Sequence, residues 1–190
     1  MIIFKKTNCN VCNSSDYKKL YDIKSKVPFT IVRCKCGMIY MNPMVDQSTM
    51  GELYSKGYYH GESEHGFNFT NPLQDIEMIS LVCKERLERI KSITNVTSGR
   101  LLDIGCTYGV FLYSVRDSGW ELHGCDFSEY AVKMAKEKLG LDNVKLGRAN
   151  EAGYQQNYFD IVTLFEVIEH MDTPMEEMKE INKLIRKGGW

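Results

Sequence analysis

The sequence predicts an α/β fold: a small parallel sheet, preceded by a cysteine-bearing module and a bridging helix. Three observations carry that prediction. From Leu101 onward, short apolar runs alternate with helical patterns. A turn of the form Gly105-x-x-x-Gly109 joins the first run to its helix. Two close cysteine pairs, Cys9/Cys12 and Cys34/Cys36, stand apart near the N-terminus. Strands that alternate with helices pair in parallel through right-handed crossovers, which places any ligand at the C-terminal strand ends. The 190 residues suit one domain with an appendage. The expected boundaries are 1–56 for a zinc-ribbon module, 57–98 for a loop and bridging helix, and 99–190 for the α/β part.

A net charge of -1 and 43% hydrophobic residues describe an ordinary globular chain. Without a basic excess, nucleic acid is not an expected partner. No apolar run approaches the roughly 20 residues that cross a bilayer, and the first residues do not read as a signal peptide. Seven cysteines without a secretory signal suit a reducing compartment. The expectation is a soluble, cytoplasmic protein with no membrane partner.

In chain order, the cysteine module comes first. Tyr17, Leu20, Tyr21 and Ile23, then Phe29, Ile31 and Val32, suggest two short strands around a loop at Lys24 to Pro28. Strands flanked by two cysteine knuckles describe a zinc ribbon in which Cys9, Cys12, Cys34 and Cys36 close a tetrahedral site. Four thiolates leave no open coordination position, so the Zn2+ is structural; the plainer alternative is four reduced, partly buried thiols. Cys83, Cys106 and Cys125 fall outside the pattern and read as small apolar core residues. Gly61 to Asn71 is polar and reads as an exposed loop or lid. Asn71-Pro72-Leu73-Gln74 opens the bridging helix with a cap, a first-turn proline and a reciprocal glutamine. Leu73, Ile76, Ile79, Val82, Leu87, Ile90 and Ile93 form its apolar stripe, and the Thr94 to Gly99 segment ends it.

The α/β part follows. Leu101 to Ile104 is a buried strand. The helix after the glycine turn runs to Asp117-Ser118 and is closed by Gly119. Trp120 to Cys125 is the second strand and ends in Asp126. Ser128 caps a helix over Glu129 to Leu139 that stops at Gly140. Asn143 to Leu146 and Phe159 to Phe165 are the third and fourth strands. A last helix opens at Asp172-Thr173-Pro174 and closes at Lys187-Gly188-Gly189. The fourth strand is expected to be an open edge, available to a homo-oligomeric partner.

The chemistry concentrates at the first two strand tips. Backbone N–H groups converge at a strand-to-helix glycine turn and cradle a ligand. Asp103 would repel a phosphate there but would pair with a cationic amino group. Asp126, at the neighbouring tip, can accept both hydroxyls of a ribose. Asp103-x-Gly105-x-x-x-Gly109 resembles the first motif of class I S-adenosylmethionine-dependent methyltransferases, although the family's third glycine is replaced by Thr107. Phe159-Asp160 with Glu166-Val167-Ile168-Glu169-His170 is similar to their fourth motif, in the form found in ubiquinone-pathway O-methyltransferases and sugar methyltransferases. The resemblance spans Arg100 to Trp190. More loosely, the cysteine module is similar to the zinc-binding module that precedes deoxysugar C-methyltransferase domains.

That resemblance implies a partial Rossmann-like sheet of strand order 3-2-1-4 and S-adenosyl-L-methionine as cofactor. It implies cofactor contacts from Asp103, Gly105, Cys106, Thr107, Tyr108, Gly109, Asp126, Phe127, Ala149, Asn150, Phe165 and Glu166. Arg148 stands where the family often has an acid, which leaves backbone groups of Ala149 and Asn150 for the adenine. The acceptor is expected to be a small molecule, a sugar or a lipid or quinone precursor, reached by direct in-line transfer. Glu169 and His170 are expected to act as base or to orient the substrate, and Tyr59 (or Tyr58) to approach from the N-terminal side. Were the chain helical beyond the fourth strand, Glu166, Glu169 and His170 would share a face, a pattern that also resembles a divalent-metal motif completed by His60 or His65. The family's later strands do not follow Lys187-Gly188-Gly189, so the chain reads as a C-terminally truncated form. The rival readings are a non-catalytic, zinc-bearing nucleoside-binding or interaction module, and an NAD-binding oxidoreductase.

Overall fold

Antiparallel hairpins build the N-terminal part and parallel α/β units build the rest, as the spacing of apolar runs dictates. The computed structural model describes residues 3–24, 28–46, 49, 71–171 and 173–190. They divide into two compact units, 1–70 with 172–175 and 71–171 with 176–190.

In the first unit, β1 (Phe4–Lys5) pairs antiparallel with β5 (Met44–Val45). A separate antiparallel sheet runs β2 (Tyr17–Ile23), β3 (Phe29–Cys34) and β4 (Ile39–Met41). The register places Tyr17 opposite Cys34 and Lys19 opposite Val32, then shifts between Lys19 and Tyr21. Burial is sparse. The buried hydrophobic residues described in this unit are Cys9, Val32 and Cys34, two of them cysteines of the pairs. Asn42 is buried at the same place, its amide accepting from Thr7 N and donating to Thr7 O.

The second unit holds a parallel sheet of order β8-β7-β6-β9, the expected 3-2-1-4 arrangement. Its strands are β6 (Gly99–Ile104), β7 (Trp120–Asp126), β8 (Val144–Leu146) and β9 (Ile161–Thr163). The helices are α1 (Ile76–Thr94), α2 (Val110–Ser114), α3 (Glu129–Leu139) and α4 (Pro174–Leu184). Alternate residues of β6 serve different cores. Leu101 packs with Cys83 and Leu87 of α1, Phe111 and Leu112 of α2, and Val132 and Ala135 of α3. Leu102 and Ile104 pack with Ile181 and Leu184 of α4 and with Phe159 and Met171. A sheet covered on both faces requires such continuous apolar strands. Each fully buried leucine contributes about 2 kcal/mol.

Several expectations change in detail. Helix α1 begins at Ile76, because Asn71 spends its side-chain and carbonyl oxygens on the N–H groups of Leu73 and Gln74 in a separate turn. Its inner line is Ile79, Cys83, Leu87 and Ile90, at helical spacing, whereas Val82 and Ile93 are exposed. Helix α2 stops at Ser114; Arg116 and Ser118 N–H groups then bond three residues back, so the last turn tightens before Gly119. The edge of β9 is not bare. Trp190 N donates to Asp160 O at 3.0 Å, and Val162 N donates to Trp190 O at 2.8 Å. Glycine at 189 permits this approach, since a Cβ there would lie 2.9 Å from Asp160 O. Asp160 ties the start of β6 to the last residues by accepting from Arg100 N at 2.7 Å and pairing with Arg186. Among the described residues, no helix is long and apolar enough to cross a membrane.

Candidate functional site

Parallel strands end together, so β6, β7 and β9 bring three polar tips side by side. In register, Asp103 lies opposite Gly124 on one side and Thr163 on the other. Thr163 Oγ1 donates to Asp103 Oδ1 at 2.7 Å. The carboxylate is 4% exposed. Burial pushes it up to about 7, opposed by the Thr163 hydroxyl and by Arg86 and reinforced by the nearby charge of Asp126.

After Asp103 the chain turns over the end of β7. The N–H groups of Gly105 and Cys106 both donate to Cys125 O, at 2.8 and 3.1 Å. Thr107 N donates to Asp126 Oδ2 at 2.8 Å, and Ser128 N donates to Asp126 Oδ1 at 2.8 Å. Asp126 therefore joins the glycine turn to the start of α3, where Ser128 Oγ accepts from Ala131 N as the cap expected of it. Burial raises Asp126, while the Ser128 and Thr107 N–H groups favour its ionised form. Each oxygen keeps a further lone pair for a ligand hydroxyl. The turn is left-handed at three places: Gly105 (φ +66°), Thr107 (φ +49°) and Gly109 (φ +75°). Thr107 thus occupies a conformation that suits the family's missing glycine and strains a β-branched residue. At Gly109 a Cβ would come within 2.4 Å of Leu141 Cδ1.

The other expected residues are distributed unevenly. Tyr108 is buried, with its ring edge-on to Tyr130. Cys106 is buried beneath the turn, and burial pushes its thiol up. Cys83 and Cys125 are buried too. Phe127 is exposed. Gly147 N donates to Asp126 O, so the loop carrying buried Ala149 and exposed Asn150 starts beside the second acid. Phe165 is half-buried, edge-on to Phe111 at 5.0 Å.

The expected common face for Glu166, Glu169 and His170 is not formed. Glu166 sits at φ +56°, outside any helix, and only Ile168–His170 coil, as a single 3-10 turn. All three are exposed. The backbone leaves β9 through a left-handed residue, which breaks the helical spacing on which the expectation rested. Nor do they gather as metal ligands: among the described residues, the only group of three or more His, Cys, Asp or Glu ligand atoms lying mutually within 4.8 Å is Cys9, Cys12, Cys34 and Cys36. Tyr58, Tyr59, His60 and His65 lie outside the described residues.

Two site residues escape sequence reasoning. Thr163 was legible only as strand. Arg86 places its guanidinium 4.7 Å from the centre of the Phe165 ring and acts on Asp103. Its signal was spacing: Arg86 stands three residues after Cys83 on the inward side of α1, where a cation calls for a function.

The four cysteines form a second centre. Cys9 Sγ lies 3.6 Å from Cys36 Sγ, and Cys12 Sγ lies 3.4 Å from Cys34 Sγ. These separations exceed a disulfide bond of about 2.05 Å. They are close to the roughly 3.8 Å between thiolates set tetrahedrally at about 2.3 Å from zinc. Burial pushes the Cys9 thiol up, but the backbone N–H groups of Cys12 and Val11 and the Cys36 and Cys34 thiols outweigh it, bringing Cys9 to about 7. The donor set fits a thiophilic, four-coordinate ion.

Residues 76–190 match the model of a family described as a methyltransferase domain. Among curated proteins, the chain is 29% identical over 125 residues to a ubiquinone biosynthesis O-methyltransferase of Nitrosospira multiformis, covering 63% of this chain and 49% of that one. It is 25% identical to the protein of the same name from Thiobacillus denitrificans, covering 67% of this chain and 57% of that one. The chain thus spans about half the length of these curated relatives. Among solved structures, a Methanococcus maripaludis protein provisionally described as an S-adenosyl-L-methionine-dependent methyltransferase superposes with a TM-score of 0.51. That likeness covers 61% of this chain and 60% of that one at 17% identity, and it concerns the fold.

Proposed function

The chain belongs to the methyltransferase domain family, and from that premise we propose that it binds S-adenosyl-L-methionine at the tips of β6 and β7. We further propose that it serves methyl transfer to a small-molecule acceptor, a sugar or a lipid or quinone precursor. The observation that carries this reading is the pair of buried carboxylates bracketing the glycine turn, Asp103 on Thr163 and Asp126 on the Thr107 and Ser128 N–H groups. When bound, the cofactor supplies an electrophilic methyl group, so the protein has to align and protect rather than form covalent intermediates.

Each residue then has a task its chemistry suits. Asp126 accepts the ribose hydroxyls on its remaining lone pairs. Asp103 faces the ammonium of the methionine end, and Arg86 its carboxylate. Gly105, Cys106, Thr107, Tyr108 and Gly109 give the backbone surface of the turn. Ala149 and Asn150 offer backbone groups to the adenine, with Phe127, Phe165 and Glu166 at the margins. Glu169 and His170, exposed beyond β9, take a proton from the acceptor or orient it. Tyr59 retains its proposed role at the acceptor. Cys9, Cys12, Cys34 and Cys36 hold a structural Zn2+.

Calorimetric titration with S-adenosylhomocysteine tests the reading. We expect one binding site per chain, no binding of NADH, and about a hundredfold or greater loss in Asp126→Ala, which removes an acceptor of two charge-assisted hydrogen bonds. A wild-type chain that ignores S-adenosylhomocysteine, or an Asp126→Ala variant that binds it normally, would sink the proposal.

A further inference from the structure

The loop after β8 carries an arginine whose backbone is already fully engaged. Arg148 N donates to Glu151 Oε2 at 3.1 Å, and Arg148 O accepts from both Glu151 N and Ala152 N at 2.9 Å. Only the side chain is left to act. It crosses to α4, where Arg148 Nη1 donates to Glu177 Oε1 at 3.0 Å. The two side chains are 30% and 19% exposed, so the pair is partly withdrawn from water. Beneath it, Ala149 and Ala152 of the loop pack in one core with Met171, Ile181 and Leu184. Gly147, just before, is bonded to the carbonyl of Asp126.

We infer that Arg148 and Glu177 are a positioning pair, which sets the loop 147–150 against α4 and so fixes the backbone offered to the adenine end of the cofactor. The inference rests on the cofactor site proposed above. The apolar contact between loop and helix holds the two together without direction, because hydrophobic packing alone tolerates sliding. A guanidinium–carboxylate bond adds that direction, a use for partly buried charge pairs that exceeds their small net stabilisation. An arginine at 148 cannot accept a hydrogen bond from an amino group on the base. Drawing it onto Glu177 removes a misplaced donor from the loop and leaves base recognition to the backbone.

The test is a double-mutant cycle on S-adenosylhomocysteine affinity with Arg148→Gln, Glu177→Gln and the combination, each with a melting curve. Each single change should weaken binding about fivefold, at the low end of coupling between sites, and the combination should weaken it no further. Arg148→Lys keeps the charge without the planar fork and should bind with intermediate affinity; it also serves should a glutamine variant fail to fold. Unchanged affinity with a lowered melting temperature would make the pair merely structural and overturn the inference. Additive losses would also overturn it. Absence of binding by the wild-type chain would overturn the underlying site as well.

Discussion

The cysteine cluster and the glycine turn both gather polar groups at one point, by opposite means. In the first, four sulfurs converge from two short loops while Cys9, Val32 and Cys34 are the buried hydrophobic residues described in that unit. In the second, backbone amides and two carboxylates are held by cores packed on both faces of a parallel sheet. The lesson is about where the cost of convergence is met. With so few buried residues among those described in that unit, the metal proposed above would be what holds the four sulfurs together. A doubly covered sheet can bury two acids side by side, Asp103 held by the Thr163 hydroxyl and Asp126 by the Thr107 and Ser128 N–H groups.

The largest effect should come from breaking the first arrangement. Stripping metal with a strong chelator, or the change Cys34→Ser, should release the proposed Zn2+ and unfold β2 to β4. Metal-linked folding energy for such sites is about 10 kcal/mol or more. Metal analysis and amide exchange over 9–46 would show it. Intact exchange protection there after complete metal loss would refute the staple.

The second arrangement predicts a smaller, pH-dependent effect. Asp103 is pushed up to about 7 when folded, against about 4 in an unfolded chain. The folded state therefore holds this proton more readily. Its contribution is intact below pH 4 and is lost as pH rises through that window. Asp103→Asn, which keeps the shape without the charge, should stabilise the ligand-free protein at pH 8 by on the order of 2 kcal/mol and hardly at pH 4. Melting curves at the two pH values decide it; equal shifts at both would show that the carboxyl is not the cause.

The smallest effect sharpens the comparison inside the turn. Thr107 sits at φ +49°, where an L-residue with a branched side chain is strained by about 1–2 kcal/mol. Thr107→Gly should raise stability by about 0.5–1 kcal/mol after the greater freedom of the unfolded glycine is offset. Its N–H to Asp126 should survive, leaving S-adenosylhomocysteine affinity unchanged. A lower melting temperature would contradict the strain argument.

Much of this was legible in the chain. Ser128 and Gly140 frame α3 as read, because capping is decided by atoms two or three residues away. The parallel sheet followed from the alternation of strands and helices, its order β8-β7-β6-β9 from the resemblance to the methyltransferase motifs, and the buried acids from their places at strand ends. The misreadings share a cause. The common face of Glu166, Glu169 and His170 was conditional on a helix that a left-handed residue at 166 precludes; at Asn71 a good cap was spent on an isolated turn.

Sequence alone determined the elements, their order and the two motifs, since periodicity, caps and turn glycines depend on chain neighbours. Only tertiary structure decided which groups those elements bring together. Asp126 on Thr107 N, Arg148 on Glu177, Asp103 on Thr163 and Trp190 on the edge of β9 join residues 19 to 60 positions apart. Such partners are selected by packing in three dimensions; a shift of one residue between β6 and β9, for instance, would part Asp103 from Thr163.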